Sequence, residues 1–380
     1  MEMSRITSAA DWRGPDVDYR ADMMHQLTAA EIAEIGTALA GCRNHDISGI
    51  GPGDFILPEF GPRLRQMRDD LLTGNGVLLL RGLQRAGFDD DDMARIYVGI
   101  GSHFGAPVAQ SWQGELLGNI IDVSDVKDRI RGYQKGGAQT FHSDGTMCDV
   151  VALMCLRTAV SGGDSRIVSA VALHNALLER RPDLLEVLYK GYFYRYNEWD
   201  GQGIPDPIQT GHRIPVFAAN DGELCCVQET GHIRNATSAG GIALSAVETE
   251  AYEELQRLAR SPEFFLDMGF EPGDMQFLNN RVILHGRTDY EDRDEITERR
   301  HLLRLWLYVQ AWPARPASQM FATPGVVNHW LNTRRPFMDL PGGFLEEAVQ
   351  MQGERARTDT LLPRTKPNIN SAEWAAAKAS

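Results

Sequence analysis

The sequence predicts a mainly β fold with helical insertions, of the α+β class, arranged as a β-sandwich or jelly roll. Strand-like apolar segments dominate the middle and the end of the chain, whereas helical patterns cluster at the start and in two insertions. These elements do not alternate as regular βαβ units would. The glycine motifs G-x-G-x-x-G and G-x-x-x-x-G-K-[ST] are also absent from the sequence. A decorated jelly roll is therefore favoured over a nucleotide-binding fold.

Helices are predicted where capping signals precede an apolar stripe. Thr28 and Glu31 form a capping box ahead of one such stripe, and Ser245 and Glu248 form a second. Pro182 should break a long helical pattern into two helices, because proline lacks the amide hydrogen that a helix interior needs. The other helical segments are 61–76, 89–105 and 169–191.

Strands are predicted from short apolar runs, at 76–83, 116–124, 150–159, 274–280, 281–286 and 300–310. The last run alternates in character. Its odd positions are almost all aliphatic, as a face packed on a core should be. Its even positions include Arg300, Arg304 and Trp306, which places two guanidinium groups on one face of a covered strand.

Length and charge limit the classes of protein that need to be considered. We expect one domain over residues 1–380, with a loose N-terminal segment at 1–25 and a loose tail at 364–380. The net charge of −14 argues against nucleic acid or an anionic membrane surface as a partner. No apolar run reaches the roughly 20 residues needed to cross a bilayer. The N-terminal residues are polar and lack the apolar core of a signal peptide, so a cytoplasmic location is expected.

The five cysteines are an odd number without any C-x-x-C pair, at positions 42, 148, 155, 225 and 226. Such a set is a poor framework for disulfides or for structural zinc. Reduced, mostly buried thiols are expected.

Two histidines and one aspartate have the composition of a metal site. His142 and Asp144 are two residues apart, so on a strand they would face the same side with Cα atoms roughly 6.6 Å apart. The pair alone is a weak signal, since a surface histidine beside an acid is common. His285 ends an apolar run, where a satisfied core histidine is the alternative. Together the three could form the 2-His-1-carboxylate facial triad that binds Fe(II) and leaves positions open.

The two arginines on the last strand need anionic partners, because arginine stays protonated when it is buried. Arg300 follows His285 by 15 residues. A structural salt bridge with one of the many acids is one explanation. The other is a bidentate site for a ligand carboxylate.

This combination of H-x-D, a distal histidine and a following arginine resembles the Fe(II)/2-oxoglutarate-dependent oxygenases. More narrowly it is similar to the taurine dioxygenase (TauD/TfdA) family, from about Gly76 to Tyr308. The segments that match in order are GVLLLRGL, FGAP, FHSD, SGGDS, LNNRVILHGRT and RRHLLRLWL. The resemblance implies a distorted double-stranded β-helix, with Fe(II), 2-oxoglutarate as co-substrate and O2.

The resemblance also implies roles for individual residues. His142, Asp144 and His285 would bind iron. Arg300 would pair with the far carboxylate of 2-oxoglutarate, helped by the hydroxyl of Ser165.

Other positions bear on the substrate. Arg304 matches a second family arginine, near the other carboxylate of the co-substrate and the acidic group of the substrate. Ala138 stands where the taurine-binding member has an asparagine that contacts substrate, so taurine is not expected to be the substrate.

The implied activity is oxidation of an unactivated C–H bond in a small, carboxylate-bearing organic molecule, with release of succinate and CO2. The presence of Asp144 argues for hydroxylation or desaturation, because related halogenases replace this carboxylate with a small residue. Two alternatives use the same fold: a catalytically silent binding protein, and a zinc hydrolase with the same three ligands. The sequence is compatible with a homo-oligomer.

A basic segment at 127–137 is the candidate for substrate recognition. It concentrates Lys127, Arg129, Arg131 and Lys135 in an acidic protein, just before the first metal-type histidine. A solvated loop is the alternative to a lid that binds an anionic substrate through Arg131 and Lys135.

The remaining aromatic and imidazole side chains carry no clear motif. Three tyrosines on one face of a presumed strand, at 192, 194 and 196, are interpreted as core, with an aromatic wall for substrate as the alternative. The histidines at 103, 174, 212, 232 and 329 are interpreted as structural or surface residues.

Overall fold

Two β-sheets of unequal size form the centre of the protein. The computed structural model describes residues 3–85, 87–111, 113–127, 130–196, 209–220, 223–321 and 336–364, and elements are numbered along the chain. The strands of the larger sheet are β1 (Met24–Gln26), β2 (Val77–Arg81), β3 (Ala106–Pro107), β4 (Glu115–Ile120), β6 (Val150–Arg157), β12 (Met275–Asn279), β15 (His301–Tyr308) and β16 (Phe337–Met338). Their order is β1-β2-β12-β6-β15-β4-β16, with β3 also paired to β15.

The smaller sheet has the order β11-β8-β13-β5, and all its strands pair antiparallel. Its strands are β5 (Gln139–His142), β8 (Ser165–Ser169), β11 (Phe265–Met268) and β13 (Ile283–Arg287). Two short antiparallel pairs complete the strands: β7 (Ser161–Gly162) with β14 (Tyr290–Glu291), and the consecutive strands β9 (Phe217–Asn220) and β10 (Glu223–Cys226).

Apolar residues of both sheets share one core, which the helices of the later insertions complete. Val151 and Leu278 of the larger sheet belong to the same buried cluster as Ile167 and Leu284 of the smaller sheet. This pairing of a large and a small sheet over a common core confirms the predicted mainly β fold, a distorted double-stranded β-helix with helical insertions.

Helices form in every segment where they were predicted, whereas the first, seventh and ninth helices were not predicted. The helices are α1 (Tyr19–Asp22), α2 (Ala29–Cys42), α3 (Phe60–Thr73), α4 (Asp90–Ser102), α5 (Ala170–Arg180), α6 (Pro182–Lys190), α7 (Thr230–Ser238), α8 (Ala246–Ala259) and α9 (Pro341–Arg357). Both predicted capping boxes form, at the starts of α2 and α8. All five cysteines are buried free thiols. Among the described residues, no helix combines the length and the apolar character that a membrane span requires.

Strand β15 separates the helical layer from the candidate site. Leu303, Leu305 and Leu307 are buried in the cluster that includes residues of α2, α3 and α4. Arg304 and Trp306 project to the other face, where both donate hydrogen bonds to Asp144. The alternation predicted from the sequence is therefore observed, and it places the polar side chains on the face that meets the smaller sheet.

The N-terminal segment is ordered from residue 3, which differs from the loose segment expected for residues 1–25. Trp12 is 6% exposed and its indole nitrogen donates to the carbonyl of Asn75 at 2.9 Å. The amide of Asn175 pairs with both backbone groups of Ile6, each at 2.9 Å. These partners are distant in sequence, so no local sequence pattern predicts the contacts. The expected loose tail falls almost wholly outside the described residues, which end at residue 364.

Replacing Trp12 by alanine tests whether this segment contributes to stability. We expect the free energy of unfolding to fall by about 3–5 kcal/mol, because a buried indole is lost and a cavity remains. Urea denaturation followed by circular dichroism measures the change. Arg5→Ala serves as the control, since the Arg5 side chain is 65% exposed. Equal stability of the two variants would show that the segment does not dock.

Candidate active site

Two neighbouring strands bring the candidate metal-binding histidines face to face. His142 is the last residue of β5, and His285 lies directly opposite it in the register of the antiparallel partner β13. Their ring centroids are 4.4 Å apart. Asp144 lies two residues beyond the end of β5, so its side chain is placed by the following loop rather than by strand alternation. The structure thus brings together all three residues that the sequence selected.

The donor atoms of this cluster surround a shared space. The Nε2 of His142 is 3.9 Å from Oδ1 of Asp144, and the Nε2 of His285 is 3.6 Å from Oδ2. One ligand atom from each residue lies within 4.8 Å of the others. These separations are too long for hydrogen bonds. The Nδ1 of His142 is 2.9 Å from the carbonyl of Thr140, which places its hydrogen there and leaves Nε2 with a lone pair. The set fits an ion such as Fe(II).

The protonation states also suit metal binding. Burial alone would raise the pKa of Asp144, but Arg304 and the imidazoles of His285 and His142 outweigh it, so the pKa is lowered. Burial, with His142 close by, lowers the pKa of His285 to about 3. At neutral pH the acid is therefore ionised and the His285 imidazole neutral, which is the form in which each can bind a metal.

Hydrogen bonds from two side chains hold the Asp144 loop. Asn280 accepts from the backbone N–H of Asp144 at 2.8 Å and donates to the carbonyls of Asp144 and Cys148 at 3.1 and 2.8 Å. Ser143 exchanges hydrogen bonds with the backbone of Gln228 at 3.0 and 2.8 Å. A carboxylate outside regular structure is thereby held in one position, as metal ligands usually are.

Arg304 and Trp306 of β15 contact the carboxylate directly. The indole nitrogen of Trp306 donates to Oδ2 of Asp144 at 2.6 Å, and the guanidinium of Arg304 donates to Oδ1 at 3.3 Å. Arg304 also donates to Oε1 of Gln110 at 2.7 Å and lies 4.5 Å from the ring centre of Tyr133. Arg304 therefore binds a carboxylate of the cluster itself, and the role toward a ligand acid that the sequence suggested for it stays a prediction.

Arg300 is buried, and among the described residues its guanidinium forms no hydrogen bond with a carboxylate. Its Nη2 donates to the carbonyl of Gly163 at 2.9 Å, and the group lies 5.5 Å from the ring centre of Tyr290. Burial lowers the pKa of Arg300. Gly163 has φ +77°, and a Cβ there would lie 2.7 Å from the arginine Nε, so only glycine allows this approach. Ser165, two residues further on, is buried and its hydroxyl donates to Gln276 at 2.9 Å.

Arg287 is another buried arginine, and it was not predicted from the sequence. It donates to the carbonyls of Gly137 and Lys135 at 2.8 and 2.9 Å, and lies 4.9 Å from the ring centre of Tyr290. Burial, with Arg300 nearby, lowers its pKa to about 10. Its position two residues after His285 on one strand was the available signal, since alternate residues share a face. Arg287 fastens the end of the basic segment to β13.

A cavity of about 520 Å³ opens against His142, Asp144 and Arg304. Arg131 and Lys135 of the basic segment line it too. The other lining residues are Ala109, Gln110, Ser111, Ile130, Gly132, Tyr133, Gln139, Gly145, Thr146, Met147, Tyr196, Glu229, Gly231, His232, Asn235, Trp306 and Phe321.

The basic segment divides its charges between two places. Lys127 points to α9, where its ammonium is 2.8 Å from Glu347 and 4.7 Å from the ring centre of Phe344. Arg131 and Lys135 reach the cavity, and Arg129 lies outside the described residues.

The remaining tyrosines and histidines have different surroundings. Tyr192 and Tyr194 are buried in the core, while Tyr196 lines the cavity, and isolated bridges rather than a continuous strand hold this segment. His232, interpreted from the sequence as structural or surface, lines the cavity as well. His174 is buried and bonded to Tyr189, as a structural residue would be. His329 lies outside the described residues.

The Arg287→Gln substitution should loosen the basic segment. Glutamine is too short to reach both carbonyls, so backbone amides at 130–139 should exchange with deuterium about tenfold faster. Exchange followed by mass spectrometry measures this. Arg166→Gln is the matched control, because Arg166 lies on the neighbouring β8 and pairs with Asp267 at 2.6 Å. An unchanged exchange rate in the Arg287 variant would contradict the role of these hydrogen bonds.

Comparison with known proteins assigns the chain to a family. Residues 40–306 match the model described as "Taurine catabolism dioxygenase TauD, TfdA family". An "FR-33289 synthase" from Streptomyces rubellomurinus is 32% identical over 327 residues, covering 82% of this chain and 93% of the relative. A taurine hydroxylase-like protein from Stachybotrys chartarum is 31% identical over 320 residues, covering 79% of each chain.

Solved structures agree with the fold. An asparagine oxygenase in complex with Fe(II), hydroxyasparagine and succinate superposes with a TM-score of 0.59 at 17% identity, covering 78% of this chain and 97% of that one. The non-heme iron oxygenase OrfP, with Fe and alpha-ketoglutaric acid, gives 0.56 at 15% identity, covering 75% and 93%. Because the family match spans most of the chain and the candidate iron site lies within it, this protein belongs to the TauD/TfdA family and is an Fe(II)/2-oxoglutarate-dependent dioxygenase.

Proposed function

We propose that this dioxygenase hydroxylates or desaturates an unactivated C–H bond of a small, carboxylate-bearing organic molecule and releases succinate and CO2. The observation that carries the proposal is the composition of one cavity. It is lined by His142 and Asp144 of the candidate iron site and by the cations Arg131, Lys135 and Arg304. An anionic molecule held by those cations would lie beside the metal.

In this proposal His142, Asp144 and His285 hold the ferrous ion. Two neutral imidazole nitrogens and one ionised carboxylate are the donor set of the facial triad, and they leave three positions for other ligands. When bound, iron with 2-oxoglutarate and O2 supplies the oxidant that removes hydrogen from the substrate. Asp144 would occupy the ligand position that a halide takes in related halogenases, so hydroxylation or desaturation is favoured over halogenation.

Arg300 is assigned to the distal carboxylate of the co-substrate. Its guanidinium is buried, and among the described residues its hydrogen bonds reach a carbonyl but no carboxylate. A buried cation without an anion is costly, so a ligand carboxylate would relieve that cost. Ser165 is assigned as an additional hydroxyl at the same end.

Other residues of the cavity would limit the access of water and orient the substrate. The aromatic rings of Tyr133 and Trp306 lie against Arg304. We infer that they limit the access of water to Asp144. In a cavity of low dielectric constant the fixed charges act more strongly on a ligand than they would in water. We assign Arg131 and Lys135 to the acidic group of the substrate, so that the opposite portion of the molecule is presented to the iron.

The co-substrate assignment is tested by Arg300→Gln. Anaerobic addition of Fe(II) and 2-oxoglutarate to the wild type should produce a visible charge-transfer band. Zinc, as in the hydrolase alternative, cannot produce that band. In the variant the dissociation constant of 2-oxoglutarate should rise by about 30-fold or more, because a buried charge pair is lost. Arg166→Gln is the control, because Arg166 lies on β8 and pairs with Asp267 at 2.6 Å. An unchanged titration in the Arg300 variant would contradict the assignment.

The substrate assignment is tested by charge reversal. Lys135→Glu should raise the KM of an acidic substrate by about tenfold or more and leave the charge-transfer band intact, since the cation lies outside the metal cluster. Succinate release over a panel of organic acids identifies the substrate and measures KM. Lys190→Glu is the control, because Lys190 is exposed on α6. A KM that does not respond to reversal at Lys135 or Arg131 would count against a substrate acid at this position.

A further inference from the structure

Helix α7 supplies a second set of polar groups to the cavity, which neither the iron nor the co-substrate requires. Glu229, His232 and Asn235 all line the cavity. His232 and Asn235 are three residues apart on α7, a spacing that keeps them close together on one side of the helix, and Glu229 immediately precedes it. Their hydrogen-bonding capacity differs from that of the basic segment.

His232 can only accept a hydrogen bond from a ligand. Its Nδ1 is 3.1 Å from the carbonyl of Arg195, so the hydrogen lies on Nδ1 and Nε2 carries a lone pair. Burial, with Arg131 close by, lowers the pKa of His232 to about 4, so the ring is neutral at pH 7. The ring is held between aromatic side chains, with centroids 5.9 Å from Tyr194 and 5.4 Å from Phe321.

Asn235 adds an acceptor close to His232. Its amide nitrogen donates to the carbonyl that His232 also uses, at 3.3 Å, and its Oδ1 can accept a hydrogen bond from a ligand.

The basic residues of the cavity have the opposite capacity. Arg131, Lys135 and Arg304 can only donate. Among the charged and imidazole side chains of the lining, those of the basic segment and β15 can only donate, whereas α7 supplies an acceptor at His232. A ligand that carried only an acid would pair with the first set. It would remove water from the second set without replacing the lost hydrogen bonds, which is unfavourable.

We infer that the substrate is bipolar, with an acidic group bound by the basic residues and an amine or hydroxyl donor bound by His232 and Asn235. This rests on the proposed function, because it concerns the substrate of the same iron site. His232 and Asn235 become specificity-determining residues. Sites built to receive a substrate O–H or N–H discriminate strongly against analogues that lack it.

Matched series of ω-amino, ω-hydroxy and unsubstituted carboxylic acids of graded length test the inference. Succinate release is measured for each acid with the iron-loaded enzyme and 2-oxoglutarate. Thermal shifts with Mn(II) in place of iron report binding without turnover. The kcat/KM for succinate release should be about tenfold or more higher for the amino or hydroxy acid than for the matched unsubstituted acid. The affinity obtained from the thermal shifts should differ in the same direction and by a similar factor.

Variants separate specificity from general damage. His232→Phe keeps the aromatic packing and removes the acceptor, and Asn235→Leu removes the amide. Both should reduce the preference about tenfold and leave the charge-transfer band of Fe(II) and 2-oxoglutarate unchanged. Ser238→Ala is the control, because Ser238 lies on α7, is exposed and does not line the cavity.

Three outcomes would overturn the inference. They are a preference for the unsubstituted acids, a panel in which no donor-bearing acid is favoured, and variants that retain the full preference. An intact charge-transfer band in those cases would leave the proposed function standing. Loss of the band in the wild type would instead contradict the proposed function itself.

Discussion

The site depends on the antiparallel pairing of β13 with β5. This register sets His285 opposite His142, and any shift by one residue would turn one imidazole to the other face of the sheet. Gly286 permits the close approach, because a Cβ there would lie 2.6 Å from the carbonyl of Gln139. Asp144 then needs only to be held in the following loop, and Asn280, which lies just before β13, does this. One strand pair and its flanking residues therefore position the whole cluster.

Charge is distributed in an unusual way for an acidic protein. The net charge is −14, yet Arg287, Arg300 and Arg304 are all buried. Arg304 contacts the carboxylate of Asp144. Arg287 and Arg300 both lie against the ring of Tyr290, and each donates to backbone carbonyl groups. Burying like charges near one another is unfavourable unless an anion joins them. Bound anions would therefore stabilise these buried guanidinium groups, and a dicarboxylic co-substrate and an acidic substrate would supply them.

The basic segment is held from both ends, and this connects it to the rest of the molecule. Arg287 binds the carbonyls at its C-terminal end, and Lys127 pairs with Glu347 of α9 at its N-terminal end. Just before it, Asp125 binds the buried Arg299 at 2.6 Å. A loop fixed at both ends presents Arg131 and Lys135 to the cavity with less loss of conformational entropy on binding.

The sequence by itself determined the fold class, the capped helices, the face of β15 that carries the arginines, and the candidate ligands His142, Asp144 and His285. The fold class, the helices and the face of β15 follow from local periodicity and capping signals, whereas the candidate ligands follow from the order of motifs that resembles the family. Only the tertiary structure decided that the N-terminal segment is packed, that Arg287 fastens the basic segment, and that His232 lines the cavity. Each of these depends on partners far away in the chain, and a single sequence contains no record of which distant residues meet in space.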